Sequence, residues 1–166
     1  MATGTLVSVE EYLNTSYDPD CDYVDGQIVE RNVGEWDHSR LQLALGSYFY
    51  TREKQLGLLA VTEQRVQVSP TRFRIPDITV IQASAAGEQI LRTPPFLCIE
   101  ILSKDDRFAA MQARINDYLS FGVKYVWVID PQTRRAYIYS GSGMTEAQDG
   151  ILFTNDPDLR VSLDEI

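Results

Sequence analysis

Two acidic residues interrupt apolar stretches of the sequence, and both are of a type that can bind a cation. Asp77 follows Pro76 within residues 74–81, and Glu100 lies between two isoleucines within residues 96–103. Both stretches are rich in β-branched residues and predict strands. Because a carboxylate buried in a strand is costly unless a cation or a donor compensates it, two of them on neighbouring strands suggest a shared cation. Mg²⁺ binds one or two carboxylates together with water and phosphate oxygens, so the pair is a candidate site for metal-assisted hydrolysis.

The same pair also has a purely structural interpretation. A Pro-Asp dipeptide is common where strands begin, and Glu100 could lie on a solvated strand face or pair with a nearby arginine. The residues alone leave both interpretations open. A strand predicted over residues 58–68 is expected beside Asp77, so Glu63 is a further candidate metal ligand, and Gln67 is a second candidate for completing the site.

The amino-acid composition is typical of a globular protein. The 166 residues are 44% hydrophobic and 23% charged, so we expect one domain over residues 1–166 with a proper core. No apolar run reaches the length of a membrane span and no leader is apparent, so a cytoplasmic location without membrane contact is expected. The net charge of -9 opposes non-specific binding to nucleic acid, so such contact needs a local basic patch or a metal ion. Cys21 and Cys98 are predicted to be reduced packing residues.

The pattern of elements predicts an α/β (α+β) fold with a mixed central sheet flanked by helices, preceded by an N-terminal helix and a β-hairpin. Asp25-Gly26 is a strong hairpin dipeptide, and Asp22 and Asp25 are assigned to the turn and the surface. The first three strands beyond the hairpin are expected to form an antiparallel meander. The predicted helices are 8–13, 38–55 and 107–121, and the predicted strands are 21–24, 27–31, 58–68, 74–81, 96–103, 125–129 and 136–140.

The order helix, three strands, helix, strand is that of a restriction-endonuclease-like core, and several segments resemble the Uma family of restriction-endonuclease-like proteins, which is abundant in cyanobacteria. The resemblance covers the chain from about Ser8 onward. The segments that show the resemblance are Tyr-Val-Asp-Gly at 23–26, Val-Glu at 29–30, Asp-His-Ser at 37–39, Ile-Pro-Asp at 75–77, Ile-Glu-Ile-Leu-Ser at 99–103, Asp-Tyr at 117–118 and residues 121–131. The resemblance implies a PD-(D/E)XK phosphodiesterase fold in which Asp77 and Glu100 bind Mg²⁺ and a lysine assists the attacking water.

The chain departs from that pattern at the lysine. Leu102 occupies the position where the motif has its lysine, and the resemblance implies that this role has moved to the following helix, at Arg114. Arginine keeps the positive charge but cannot act as a base. Arg114 as an exposed helix residue is the alternative. Lys104 is a second candidate, because positions 100, 102 and 104 share one strand face. The resemblance also runs through His38, which becomes a candidate for contacting the substrate or supporting the metal ligands.

Three functions follow from these observations. The first is a Mg²⁺- or Mn²⁺-dependent endonuclease that acts on nucleic acid, with DNA as the expected substrate. The second is a catalytically impaired protein of the same fold that binds metal or nucleic acid. The third is an acidic protein-interaction module in which the carboxylates are structural. We also predict a homodimer, with a self-complementary apolar patch near Trp127 and Tyr137.

Overall fold

The computed structural model describes residues 5–32 and 34–166. In chain order, its elements are α1 (Val9–Asn14), β1 (Asp22–Val24), β2 (Gln27–Val29), α2 (Trp36–Tyr50), α3 (Glu53–Leu56), β3 (Leu58–Thr62), β4 (Val66–Ser69), β5 (Arg72–Arg74), β6 (Ile78–Gln82), β7 (Leu97–Ile101), α4 (Phe108–Phe121), β8 (Tyr125–Ile129), β9 (Ala136–Ser140), β10 (Gly143–Glu146), β11 (Ile151–Thr154) and β12 (Leu159–Ser162). Short 3₁₀ turns cover Ala83–Ala85, Gln148–Gly150 and Leu163–Glu165.

A mixed sheet of six strands forms the centre of the fold, in the order β10-β9-β8-β7-β6-β3. β7 and β8 pair in parallel and are joined by α4, whereas the other neighbours are antiparallel. This arrangement follows from sequence: β8 is almost wholly apolar and buried, as expected for a strand covered on both faces. The predicted mixed sheet flanked by helices is therefore confirmed, together with the N-terminal helix and hairpin.

The predicted meander is present as β3-β6-β7, with an insertion that the sequence did not reveal. The strand predicted over 58–68 is wrong: it breaks at Glu63, whose backbone adopts a left-handed φ of 53°, and continues as β4. β4 pairs with β5, and both belong to a second sheet of order β2-β1-β5-β4. The N-terminal hairpin is thus attached to the body through β5, which ends three residues before Asp77.

The two long helices cover the central sheet, and each packs through a periodic apolar side. α2 buries Leu41, Leu45 and Phe49, at the spacing expected of one helix face. The helix predicted over 38–55 is wrong in extent, because it ends at Tyr50 and a short separate helix, α3, follows it. α4 ends at Gly122, which adopts a left-handed φ of 112°.

Trp127 lies in the centre of the core and not on the surface. Its side chain is fully buried in β8 and contacts the ring of Phe49 from α2. The predicted dimer patch near Trp127 and Tyr137 is therefore wrong for Trp127, because a buried side chain cannot contact a second copy, whereas Tyr137 is half-buried in β9. Within the described residues, no helix is both long and apolar enough to cross a membrane.

Candidate active site

Asp77 lies just before β6, and three protein groups contact its carboxylate. Its Oδ2 accepts a hydrogen bond from the backbone N–H of Ile101 at 2.7 Å, which ties the start of β6 to the end of β7. Its Oδ1 accepts from Arg31 Nη2 at 3.0 Å. His38 Nε2 lies 3.3 Å from Oδ2. The residue is 4% exposed, so these partners replace water as the groups that stabilise its charge.

Arg31 bridges Asp77 to Glu63. Its second terminal nitrogen binds the Glu63 carboxylate, whose other oxygen accepts from Gln42 Nε2 at 2.7 Å. The Glu63 side chain is 41% exposed, and that of Arg31 is 12% exposed. We call Arg31, Asp77, Glu63 and His38 the outer cluster. Its Glu63 end meets solvent, and its Asp77 end does not.

A second guanidinium bridge lies deeper in the protein. Arg114, from α4, donates from Nη1 to Glu100 Oε2 at 2.8 Å and pairs through Nη2 with Asp22 Oδ2 at 2.9 Å. The hydroxyl of Tyr118, one turn further along α4, donates to Glu100 Oε1 at 2.5 Å. Asp22 is fully buried and Glu100 is 2% exposed. We call Asp22, Glu100, Arg114 and Tyr118 the inner cluster.

The burial of Asp22 contradicts its assignment to the surface, whereas Asp25 does lie in the hairpin turn. Asp22 Oδ1 accepts from the backbone N–H of Ile75, and its Oδ2 also accepts from Arg74 Nη1, both at 3.1 Å. Arg74 in turn pairs with Asp117 at 2.6 Å. Asp22 is buried because β1 pairs with β5, and this places its side chain against both arginines.

Burial and neighbouring charges shift the titration of three groups in the two clusters. Burial raises the pKa of Glu100 to about 7, and the Asp77 charge adds to this while Arg114 opposes it. The hydrogen bond to Asp77 raises the pKa of His38 above its ordinary value, against the opposing effect of burial. Burial also opposes the charge on Arg114, yet the Glu100 and Asp22 carboxylates hold its pKa well above the ordinary value.

Asp77 and Glu100 line one small cavity, together with Arg31, His38 and Arg114 among others. The two carboxylates lie opposite each other because the antiparallel register that pairs Ile78 with Ile99 continues to them. The cavity measures about 30 Å³, room for one or two water-sized groups. Within residues 5–32 and 34–166 no group of three or more His, Cys, Asp or Glu side chains is placed to hold a metal ion.

Two carboxylates still match the needs of Mg²⁺, which completes its coordination with water and phosphate oxygens. Each carboxylate oxygen carries two lone pairs, so an oxygen that already accepts one hydrogen bond keeps the capacity to bind an ion. The donor chemistry therefore fits a hard divalent ion at Asp77 and Glu100. Such an ion would share these oxygens with the guanidinium groups of Arg31 and Arg114.

Of the other predicted site residues, some contact the Asp77–Glu100 pair and others lie away from it. His38 reaches the pair directly, whereas Arg31 separates Glu63 from it. Lys104 follows the end of β7, with a 64% exposed side chain that pairs with Glu35 at 2.6 Å. It does not line the cavity, and neither do Lys54 and Lys124, the other lysines of the sequence. Gln67 lies in β4, where it accepts a hydrogen bond from Arg92.

Sequence reasoning missed Asp22 and Arg31 as parts of the site. Both belong to the N-terminal hairpin region, where acidic and basic residues beside a turn are usually solvated. One signal was available for Arg31: it is the first basic residue of the sequence and ends the predicted strand 27–31, in a chain whose buried carboxylates require compensation. The two arginines that pair with Asp22 could not be found from the local sequence, because Arg74 and Arg114 lie far from it along the chain.

Comparison with known proteins agrees with this architecture. A crystal structure described as a "putative nuclease belonging to DUF820" from Anabaena variabilis is 22% identical, covers 96% of each chain and has a TM-score of 0.82. This likeness shows the fold. A cryo-EM structure of a DrdV–DNA complex is 15% identical over 68% of this chain and 10% of that chain, with a TM-score of 0.47, too low to support an argument. No curated protein matches the chain.

A family model supplies the assignment. The model described as "Uma2: Putative restriction endonuclease" matches residues 9–163. The match includes every residue of the inner and outer clusters, and it confirms the resemblance drawn from the sequence. Because it spans nearly the whole chain, this protein belongs to the Uma2 family.

Proposed function

We propose that this protein is a Mg²⁺- or Mn²⁺-dependent endonuclease that hydrolyses phosphodiester bonds of nucleic acid, with DNA as the expected substrate. The observation that carries the proposal is the convergence of two buried carboxylates, Asp77 and Glu100, on one cavity in a chain of this family. Restriction-endonuclease-like proteins generally use divalent metals, which agrees with this pair.

Asp77 and Glu100 are the proposed metal ligands. When bound, the ion would lower the pKa of a water molecule and offset charge on the phosphate. Arg31 lies at the solvent-facing side of the pair and presents a planar guanidinium, a group well suited to binding phosphate oxygens. Its bond to Glu63 would hold it in place while it contacts the substrate.

Proton transfer must come from a group other than Arg114. That guanidinium stays charged and uses its two terminal nitrogens to bridge Asp22 and Glu100, so its proposed role is to position Glu100. His38 is better placed to handle a proton. Its Nε2 contacts Asp77, and its buried Nδ1 has no hydrogen-bond partner among the described residues. That buried nitrogen lacks a partner, which a water molecule held at the site would supply.

Two charge-removing variants test the proposal. Asp77→Asn and Glu100→Gln should each abolish cleavage of supercoiled plasmid and weaken Mn²⁺ binding measured by calorimetry, because each removes one of two ligand charges. Asp158→Asn is the matched control, since Asp158 is an exposed carboxylate in a surface ion pair. Cleavage that survives both site substitutions would refute the assignment of the ligands.

A second candidate function, metal or nucleic-acid binding without cleavage, is favoured by one feature. All four oxygens of Asp77 and Glu100 already contact donors, and the cavity has no lysine in its lining. Arg114→Lys distinguishes the two candidates, since it restores the residue type that the family resemblance implies. A parent protein that binds Mn²⁺ but cleaves only after this substitution would establish the second candidate. Cleavage by the parent protein would exclude it.

The predicted homodimer and cytoplasmic location also remain proposals. A dimer would offer two sites for the two strands of a duplex. Because Trp127 is buried, a dimer must use a surface that does not include it.

A further inference from the structure

Helix α2 carries a regular stripe of large apolar side chains on its solvent side. Trp36, Leu43 and Tyr50 are 77%, 60% and 71% exposed, although these residues are normally shielded from water. They are spaced by seven residues, which places them on one face of a helix. The opposite face holds the buried core residues of α2. The stripe therefore serves no internal packing and is available to a partner.

Small residues separate the members of the stripe. Ser39 and Gly46 alternate with the large side chains at the positions that complete a heptad pattern. Beside them runs a groove of about 770 Å³ between α2 and β3, whose lining includes Leu43, Gly46 and Tyr50. A Cβ added at Gly46 would lie 3.8 Å from the Thr62 side chain, an ordinary contact. Internal packing thus does not require the glycine, whereas close approach by a second helix would benefit from it.

We propose that this face of α2 binds the α2 of a second copy of the chain, antiparallel and related by a two-fold axis at Leu43. The equal spacing makes the stripe self-complementary, as an isologous interface requires. An axis at Leu43 would place Trp36 of one copy against Tyr50 of the other. The bulky side chains would then enter the grooves above the small residues.

The charges at the two helix ends favour the antiparallel arrangement. Glu35 and Asp37 lie at the start of α2, and Arg52 and Lys54 follow its end. Glu53 lies between these two cations and accepts from the backbone of Ala60, so this end keeps a net positive charge. An antiparallel pair places each acidic end beside the basic end of the other copy, and it also aligns the helix dipoles favourably. A parallel pair would place like charges together.

The stripe supplies a substantial part of the area that a stable dimer needs. An aromatic side chain buries 150–250 Å², so Trp36 and Tyr50 alone offer roughly 300 Å² at their present exposure. A standard interface buries about 800 Å² per partner, and Leu43 with the groove walls would provide the remainder.

Pairing through the edge of the sheet is less suited to this partner. β3 is the outermost strand beside α2, but the backbone N–H of Ala60 already donates to the Glu53 carboxylate at 3.2 Å. A charged side chain lying over an edge strand is a common means of preventing strand addition. The association is therefore assigned to the helix.

The test uses mass and fluorescence together. Light scattering of the full chain at micromolar concentration should give twice the monomer mass of 18.8 kDa, and Leu43→Glu should restore the monomer mass. Met144→Glu is the matched control, because Met144 is also exposed, at 54%, but lies on β10; this variant should remain dimeric. Far-ultraviolet circular dichroism spectra of both variants that match the parent spectrum would show that the fold is intact.

Trp36 provides an independent signal. Trp127 is buried in the monomer, so a shift of tryptophan emission to shorter wavelength with rising protein concentration reports burial of Trp36. The shift should disappear in Leu43→Glu. A monomer mass for the parent protein at all concentrations, or a dimer that Leu43→Glu leaves intact, would overturn the proposal. Either result would leave the nuclease proposal untouched, because that proposal is tested by plasmid cleavage.

Discussion

The inner and outer clusters use the same device in two different environments. In each, one arginine bridges two carboxylates: Arg114 joins Asp22 to Glu100, and Arg31 joins Asp77 to Glu63. Both carboxylates of the inner bridge are buried, whereas Glu63 in the outer bridge is 41% exposed. Water can therefore replace the guanidinium at one end of the outer bridge and at neither end of the inner bridge.

Because of this difference, the arginine of the inner bridge should stay in place, whereas the arginine of the outer bridge can be exchanged. An arginine between two buried carboxylates cannot leave without stranding both in an apolar interior, so the inner bridge should persist as long as the N-terminal hairpin region stays in place. Water can replace Arg31 at Glu63, whereas at the buried Asp77 only another cation can take its place. We therefore expect an incoming metal ion to displace Arg31 from Asp77 first, and Arg114 to stay.

The largest predicted effect comes from removing the inner arginine. Arg114→Ala should lower the free energy of unfolding by about 3–5 kcal/mol, because it leaves two buried carboxylates without their cation. Urea denaturation followed by circular dichroism measures this loss. Arg31→Ala is the control for the comparison and should cost clearly less. Equal losses in the two variants would mean that the clusters do not differ as their burial suggests.

The next effect is a dependence of stability on pH. The pKa of Glu100 is raised to about 7 in the folded protein, and that of His38 is raised above its ordinary value. Both groups thus favour the folded state when protonated, and this contribution is lost as the pH rises through their folded pKa values. The free energy of unfolding should fall by on the order of 1–3 kcal/mol between about pH 5 and pH 8.

Urea denaturation across this pH range measures the effect, and Glu100→Gln serves as its control. The neutral amide cannot titrate, so the decline in stability with pH should become shallower in this variant. A parent protein whose stability rises steadily over the same range would contradict the raised pKa of Glu100.

The smallest predicted effect concerns Arg31 and the ion. Arg31→Gln should strengthen Mn²⁺ binding several-fold, on the order of 1 kcal/mol, because it removes the cation that competes for the Asp77 oxygen. Calorimetric titration measures the change. Glu63→Gln provides the comparison: it loosens the hold on Arg31 but leaves the guanidinium present, so the gain should be smaller. Weaker Mn²⁺ binding in Arg31→Gln would show that Arg31 supports the ion instead of competing with it.

The sequence predicted the features that local patterns determine. Apolar runs fixed the central strands, and the meander brought Asp77 and Glu100 opposite each other as expected. The break at Glu63 was not predictable, because Glu63 continues the alternation of its neighbours and only the insertion of β4 and β5 requires a turn there. The separate second sheet was missed for the same reason.

The partners of the site were harder to predict than its carboxylates. The sequence left open the possibility that Glu100 pairs with an arginine, and Arg114 lies nearly two helical turns into the next element. Asp22 was misplaced because its burial depends on β1 pairing with β5, a contact between distant segments. Pairing between distant strands produces no periodic pattern in the sequence of either strand.

The N-terminal hairpin region contributes a residue to each cluster, so a movement of this region changes both clusters together. Asp22 contacts Arg74 across 52 positions of the chain, and Arg31 contacts Asp77 across 46, whereas Arg114 and Glu100 are only 14 apart. Supersecondary units such as a hairpin often open cooperatively, at a lower free energy than global unfolding. If the hairpin region opens in this way, Glu100 keeps its cation while Asp77 loses one and Arg114 loses one of its two anions. Slow amide hydrogen exchange in β7 and α4 alongside faster exchange in β1 and β2 would be the signature of such an opening, in which one local event separates Arg31 from Asp77 and Asp22 from Arg114.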